Sequence, residues 1–132
     1  MSDAARSELL AVNHKLLTAI VGGDWKTYAA LCDESLTCFE PEARGHVVEG
    51  MPFHKFYFDL PAGPKPAVAT NVTMASPHVR MMGAEAAVLS YIRLNQKLNA
   101  AGEPVTVAVE ETRVWQKIGG AWKHVHFHRS MP

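Results

Sequence analysis

The apolar residues of this chain change their spacing once, near residue 67, and that change fixes the fold class. Before it they recur at three and four residues. Leu9, Val12, Leu16 and Ile20, widened by Leu10 and Leu17, place one apolar stripe on a helix over 3–21. After it they alternate, as residues do on strands with one face against a core. Strands are expected at about 67–75, 78–82, 86–98, 105–117 and 121–129, broken at Pro77, Gly83, the Asn99–Pro104 turn and Gly119-Gly120. The glycine pair, between two Trp-bearing segments, reads as a tight hairpin turn. Helices first and strands afterwards make an α+β chain, a mainly antiparallel sheet with helices on one face.

The first half holds two shorter helices. Gly22-Gly23 ends the first helix, and Asp24 caps a second over about 25–32, with Trp25, Tyr28 and Leu31 on its apolar face. Leu36–Phe39 is strand-like and stops at Pro41; residues 42–50 form a loop in which Val47-Val48 has the character of a paired segment. Pro52 suits the first position of a third helix over 52–59, where a missing N–H costs nothing. Pro61, Gly63, Pro64 and Pro66 make 60–66 a loop.

A length of 132 residues, 48% of them apolar, fits one domain over 1–132. Such a globule buries roughly two-thirds of its unfolded surface. Lys+Arg and Asp+Glu are 13 each. That balance argues against a nucleic-acid or anionic-membrane partner, which calls for a basic excess, and it favours self-association. The motifs of a protein kinase are missing. Cys32 and Cys38, six residues apart, match neither a CxxC pair nor a zinc pattern and read as reduced thiols. Nothing at the N-terminus resembles a secretion signal, and no apolar stretch has the length of a membrane span, so the expected compartment is the cytoplasm. No cofactor is implied.

The blocks FEPEA, VEGM, FHKFYF, YIRL, EETRVW and HFHR, in that order between about residues 10 and 130, resemble the association (hub) domain of calcium/calmodulin-dependent protein kinase II. The resemblance implies the cone of the nuclear-transport-factor-2-like superfamily, about three helices packed into a strongly curved sheet, and homo-oligomers, either dimers or larger rings of dimers. The chain starts almost where the hub starts, so neither a kinase domain nor calmodulin binding is carried over. The one long helix has only Arg6 and Lys15 as fixed cations, far from a basic amphipathic target. The family has a basic residue after the Pro of the 99–105 turn; here Val105 stands there, and one positive charge of the family's pocket is expected to be missing.

Arg93 shares a strand face with Tyr91, and Arg129 shares one with Phe127. An arginine on an inward face is expensive unless paired. Two readings stand: carboxylates such as Glu40, Glu110 or Glu111 neutralise the arginines, or the arginines line a cavity for an anion, whose carboxylate the guanidinium fork suits. The hub resemblance implies pocket-lining roles for both, and for His54, otherwise a helix-surface histidine. Ligand-binding candidates are thus His54, Tyr91, Arg93 and Arg129. His124, His126 and His128 alternate on the last strand, but neighbours roughly 7 Å apart do not make one zinc site. The hairpin 105–129, with Trp115, Trp122, His124 and His126, is the expected oligomer interface. Glu40, before Pro41, also resembles the base of ketosteroid-isomerase-like enzymes of the same superfamily. Those hold the oxyanion with a Tyr in the first helix, where this chain has Leu16 or Leu17, so Glu40 is the weaker, alternative reading.

Overall fold

Asp3–Gly22 forms the first helix, α1, in a computed structural model that describes residues 3–60 and 70–132. Its buried positions are Leu9, Asn13, Leu16, Leu17 and Ala19, so the apolar stripe carries one polar residue into the core. Gly23 turns the chain at φ +66°, a conformation that penalises any side chain. Asp24 caps α2 (Trp25–Leu31), its carboxylate accepting from the Thr27 backbone N–H at 3.1 Å. The strand β1 (Cys32–Phe39) follows at once, starting earlier than the run at Leu36 implied. β2 (Val48–Glu49) pairs with it, Cys38 opposite Val48. Pro52 opens α3 (Pro52–Asp59). The expected 60–66 loop lies, beyond Leu60, outside the described residues.

The second half is β3 (Asn71–Met81), β4 (Ala86–Leu98), β5 (Pro104–Ile118) and β6 (Ala121–Ser130). The two strands expected at 67–75 and 78–82 are one, its expected start at 67–69 lying outside the described residues. Pro77 sits in an irregularity between Ala75 and His78, where Ser76 takes φ +50° and the missing N–H removes no ladder bond. The sheet order is β2-β1-β6-β5-β4-β3, antiparallel throughout except for the parallel pair β1–β6. Gly119 and Gly120, at φ +61° and +82°, supply the two left-handed residues of the β5–β6 hairpin turn.

Along β4 the alternation is strict. Ala87, Leu89, Tyr91 and Arg93 are buried on the helix side, and Val88, Ser90, Ile92 and Leu94 face away. β6 breaks its alternation once. Val114 pairs with His126 and Trp115 with His124, leaving Val125 as an extra residue. Bulges of this kind bend a strand and raise its twist. Together with the irregularities in β3 and between β1 and β6, this one curls the sheet into an α+β cone around the helices. It also corrects the expectation of three histidines on one face: His124 is inside with Phe127, while His126 and His128 lie on the outer face.

Leu9, Leu16 and Leu17 of α1 pack with Leu36, Leu89 and Trp115 in the core. The Trp115 indole N–H donates to Asn13 Oδ1 at 3.0 Å, and Asn13 Nδ2 donates to Met74 Sδ at 3.2 Å. One amide therefore ties α1 to β5 and β3. No described helix is long and apolar enough to cross a membrane. Asn13→Ala leaves the fully buried indole N–H without an acceptor, and we expect a loss of about 1–3 kcal/mol in urea unfolding. Trp115→Phe in the same chain should then add less than it does alone, because the stranded donor is gone; strictly additive losses would show that the bond carries none of the effect.

Candidate functional site

Each of β4, β5 and β6 sends one arginine, Arg93, Arg113 and Arg129, into a cavity of about 200 Å³. Glu40, just beyond β1, and His54 on α3 form the wall beside them. The inward pleat aims these side chains: Arg93 follows Leu89 and Tyr91 at period 2, and Arg113 lies between Glu111 and Trp115.

Glu111 organises the inner half. Its side chain has no exposed surface. Arg113 Nη2 donates to its Oε2 at 3.0 Å, Arg93 Nη1 lies 3.3 Å from the same oxygen, and the Tyr91 hydroxyl donates to Oε1 at 2.7 Å. Arg113 Nε in turn donates to the Tyr91 oxygen at 3.0 Å, and the guanidinium lies 4.5 Å over the Phe127 ring. Burial alone would push the Glu111 carboxyl up, but Arg113 and Arg93 hold it below the ordinary carboxylate range. Arg113 is raised, Glu111 outweighing the cost of burial. Arg93 is treated less well. Burial lowers it, and its Nε has no hydrogen-bond partner.

The outer half is looser. Arg129 Nη2 donates to Glu42 Oε2 and lies 3.6 Å from Glu40 Oε2. Burial raises Glu40 in spite of Arg129. Glu40 Oε1 faces His54 Nδ1 at 3.9 Å. Burial, with a further push from Arg113, lowers His54 to about 4, so the ring is neutral at pH 7.

The structure brings together His54, Arg93, Arg129 and Glu40 of the sequence candidates. It does not put Tyr91 on the cavity wall; Tyr91 stands behind, holding Glu111. Glu111 and Glu40 pair with the arginines, which also line the cavity, whereas Glu110 is exposed on the other face. Of the proposed interface residues, Trp115 and His124 have no exposed surface, because the bulge turns His124 inward and Trp115 anchors the core; neither is available to a partner. Trp122 is a nearly buried core residue, and His126 lies on the outer face bonded through Nδ1 to Thr37 Oγ1 at 2.7 Å. Val105 pairs with Lys97 and is not on the cavity wall, so its lack of charge takes nothing from this cavity. Sequence reasoning missed Arg113, although its period-2 relation to Glu111 and Trp115 was a usable signal.

A curved sheet closed around helices, with a cavity of arginines between them, defines a nuclear-transport-factor-2-like cone. A protein of that type from Cytophaga hutchinsonii, 21% identical with both chains covered fully, superposes at a TM-score of 0.69 and shows the fold alone. Residues 5–132 match the family described as the calcium/calmodulin dependent protein kinase II association domain, and the chain belongs to that family. The solved hub homology domain of Chlamydomonas reinhardtii is 58% identical, covering 97% of this chain and 98% of that one, with a TM-score of 0.91. The calcium/calmodulin-dependent protein kinase type II alpha chain of Drosophila melanogaster is 47% identical over 129 residues, 98% of this chain. The chain spans about a quarter of that relative's length, 24%.

His54 and His124 are both held neutral by burial and by Arg113, His124 well below its ordinary value. Unfolded, each takes up a proton as the pH falls through about 6.5. Between there and about 4 the unfolded chain binds more protons, so stability falls as pH falls. His54 alone withdraws on the order of 3 kcal/mol over that window. Glu111 acts in the same direction at lower pH, and Glu40, raised by burial, opposes it. We expect the Tm to drop steadily from pH 7 to 5, and His124→Gln to flatten that slope.

Proposed function

We propose that this chain is a self-associating hub subunit, one unit over residues 1–132, that forms homo-oligomers of at least two copies and holds a small carboxylate in its arginine-lined cavity. Membership of an association-domain family supports the first part. So does the outer sheet face, where Ile92, Val114, His126 and the 41%-exposed Phe39 form a surface that a second sheet would cover. The neutral charge of the chain offers little repulsion between copies. In this reading the protein is cytoplasmic and takes no calmodulin, nucleic-acid or membrane partner.

The observation that carries the ligand is Arg93. A guanidinium only 6% exposed, with an unpartnered Nε, sits beside two others. Buried donors are rarely left unpaired, and a forked carboxylate supplies the missing acceptor. Proton abstraction by Glu40 is less well supported. Its carboxylate stands 3.6 Å from Arg129, and the α1 position that the isomerase reading needs as a tyrosine is core leucine.

Light scattering at micromolar concentration should give a mass of at least twice 14.5 kDa. Val114→Glu, a charge on the outer face, should lower it toward the single chain; a parent of 14.5 kDa overturns the association. For the cavity, short carboxylic acids should raise the parent's Tm, with a gain of about 2.7 kcal/mol at a hundredfold excess over Kd. Arg93→Ala and Arg129→Ala should each lose that response. If no acid stabilises the parent, or both variants respond as the parent does, the carboxylate is wrong and the arginines are structural.

A further inference from the structure

Cys38, Glu40 and His54 form a cluster at the edge of the cavity, and its thiol, Cys38, has no part in hub association or in the arginine cavity. Cys38 and Glu40 are two residues apart on the inward face at the end of β1, and α3 lays His54 across them. Cys38 Sγ lies 3.8 Å from His54 Nε2, His54 Nδ1 lies 3.9 Å from Glu40 Oε1, and one donor atom from each residue falls within 4.8 Å of the other two. All three side chains are nearly enclosed, with Glu40 and His54 open to the cavity.

We propose that this cluster is a zinc site, with the Cys38 thiolate, the His54 imidazole and the Glu40 carboxylate as protein ligands and the fourth position open to the cavity. The donor set selects the metal: thiolate and imidazole disfavour the hard cations magnesium and calcium and suit zinc. Bond lengths of about 2.3 Å to sulfur and about 2.0–2.2 Å to nitrogen or oxygen imply donor separations of roughly 3.4–3.6 Å in a tetrahedron. The sulfur–nitrogen pair is already within a few tenths of an ångström of that.

The proton balance is simple. His54 is neutral at pH 7, and binding as a thiolate makes zinc displace the proton of the Cys38 thiol, which burial and the nearby Glu40 keep raised at about 12 in the free protein. Arg129 does not block the site. Its hydrogen bond goes to Glu42, and it reaches only Oε2 of Glu40, while Oε1 faces His54. Exchanging one proton for a divalent ion adds one positive charge beside three arginines, so the open position favours water or an anion over a neutral donor. The outer histidines His126 and His128 are not part of this site, and Cys32, paired instead with His124 at 3.4 Å, is the built-in control.

The test is a titration of the full chain with Zn²⁺ by calorimetry, and with Cd²⁺ followed by its ultraviolet thiolate charge-transfer band. One metal per chain, one proton released and a band on Cd²⁺ addition are expected. Cys38→Ala abolishes the band, and Cys38→Ala and His54→Gln each weaken binding at least roughly tenfold; Cys32→Ala changes neither. X-ray absorption of the zinc-loaded parent should show one sulfur neighbour at about 2.3 Å, a result that depends on no variant folding. No saturable binding, a zinc shell of nitrogen and oxygen alone, a band that survives Cys38→Ala, or binding unaffected by His54→Gln overturns the site. The carboxylate test uses Arg93 and Arg129, so either proposal can fail without the other.

Discussion

The Glu111 carboxylate, shared by two guanidiniums and a phenol inside the cone, is the contact on which the rest of this structure depends. An ion pair this deep gives up the hydration of every partner, so it adds little net stability by itself, but removing one member strands the others at about 3–5 kcal/mol. Its position matters as much as its charge. Tyr91 and Glu111 stand opposite each other in the β4–β5 ladder, so their hydrogen bond locks that register on the core side. Arg113, held by Glu111, lies over Phe127 and so ties β5 to the inward face of β6.

The same three strands carry two unrelated surfaces. Arg93 points in and Ile92 out, Glu111 in and Thr112 out, Arg129 in and His128 out. On a regular strand His124 would share its phase with His126 and His128 and face outward, opposite Phe127 and Arg129. The extra residue at Val125 removes that conflict. It lets His124 stack on Phe127 and fill the space beside Trp115 without expelling Arg129 from the cavity. One inserted residue therefore supplies both curvature and a complete inner wall.

The order and type of the elements were legible because they rest on local rules: one change of period, a capping Asp24, a Pro52 at a helix start and a glycine pair at the last hairpin. The errors came where tertiary packing overrode those rules. Pro77 reads as a strand end, yet β3 runs through it because a bulge takes up the missing donor. Trp115 and His124 read as an interface because aromatic size fits a core and a contact surface equally well. Tyr91 shares Arg93's face but lies one layer behind the wall. Arg113 was overlooked inside a charged run, Glu110-Glu111-Thr112-Arg113, that looks solvated until the pleat separates its members. The approach of His54 to Cys38 has no local signature, since it exists only once α3 docks on the end of β1.

Fixed and movable charge are divided unevenly within the cavity. Arg93, Arg113 and Arg129 face Glu111, Glu42 and Glu40, a formal balance when all are ionised. Arg113 is enclosed and saturated, so it sets the field without changing partners. Arg129 retains 18% side-chain exposure and divides itself between two glutamates. Water can screen its rearrangement, so moving it costs far less than moving Arg113. Glu40, destabilised as an anion by burial, is the partner that gives way most cheaply, by taking up a proton or yielding its arginine. An arriving carboxylate would meet an unpaired donor on Arg93 and a readily released one on Arg129, while Arg113 and Glu111 held the frame. Enclosed charge that cannot relax and peripheral charge that can thus share one small cavity, the first fixing the frame and the second free to change partners without unfolding the cone.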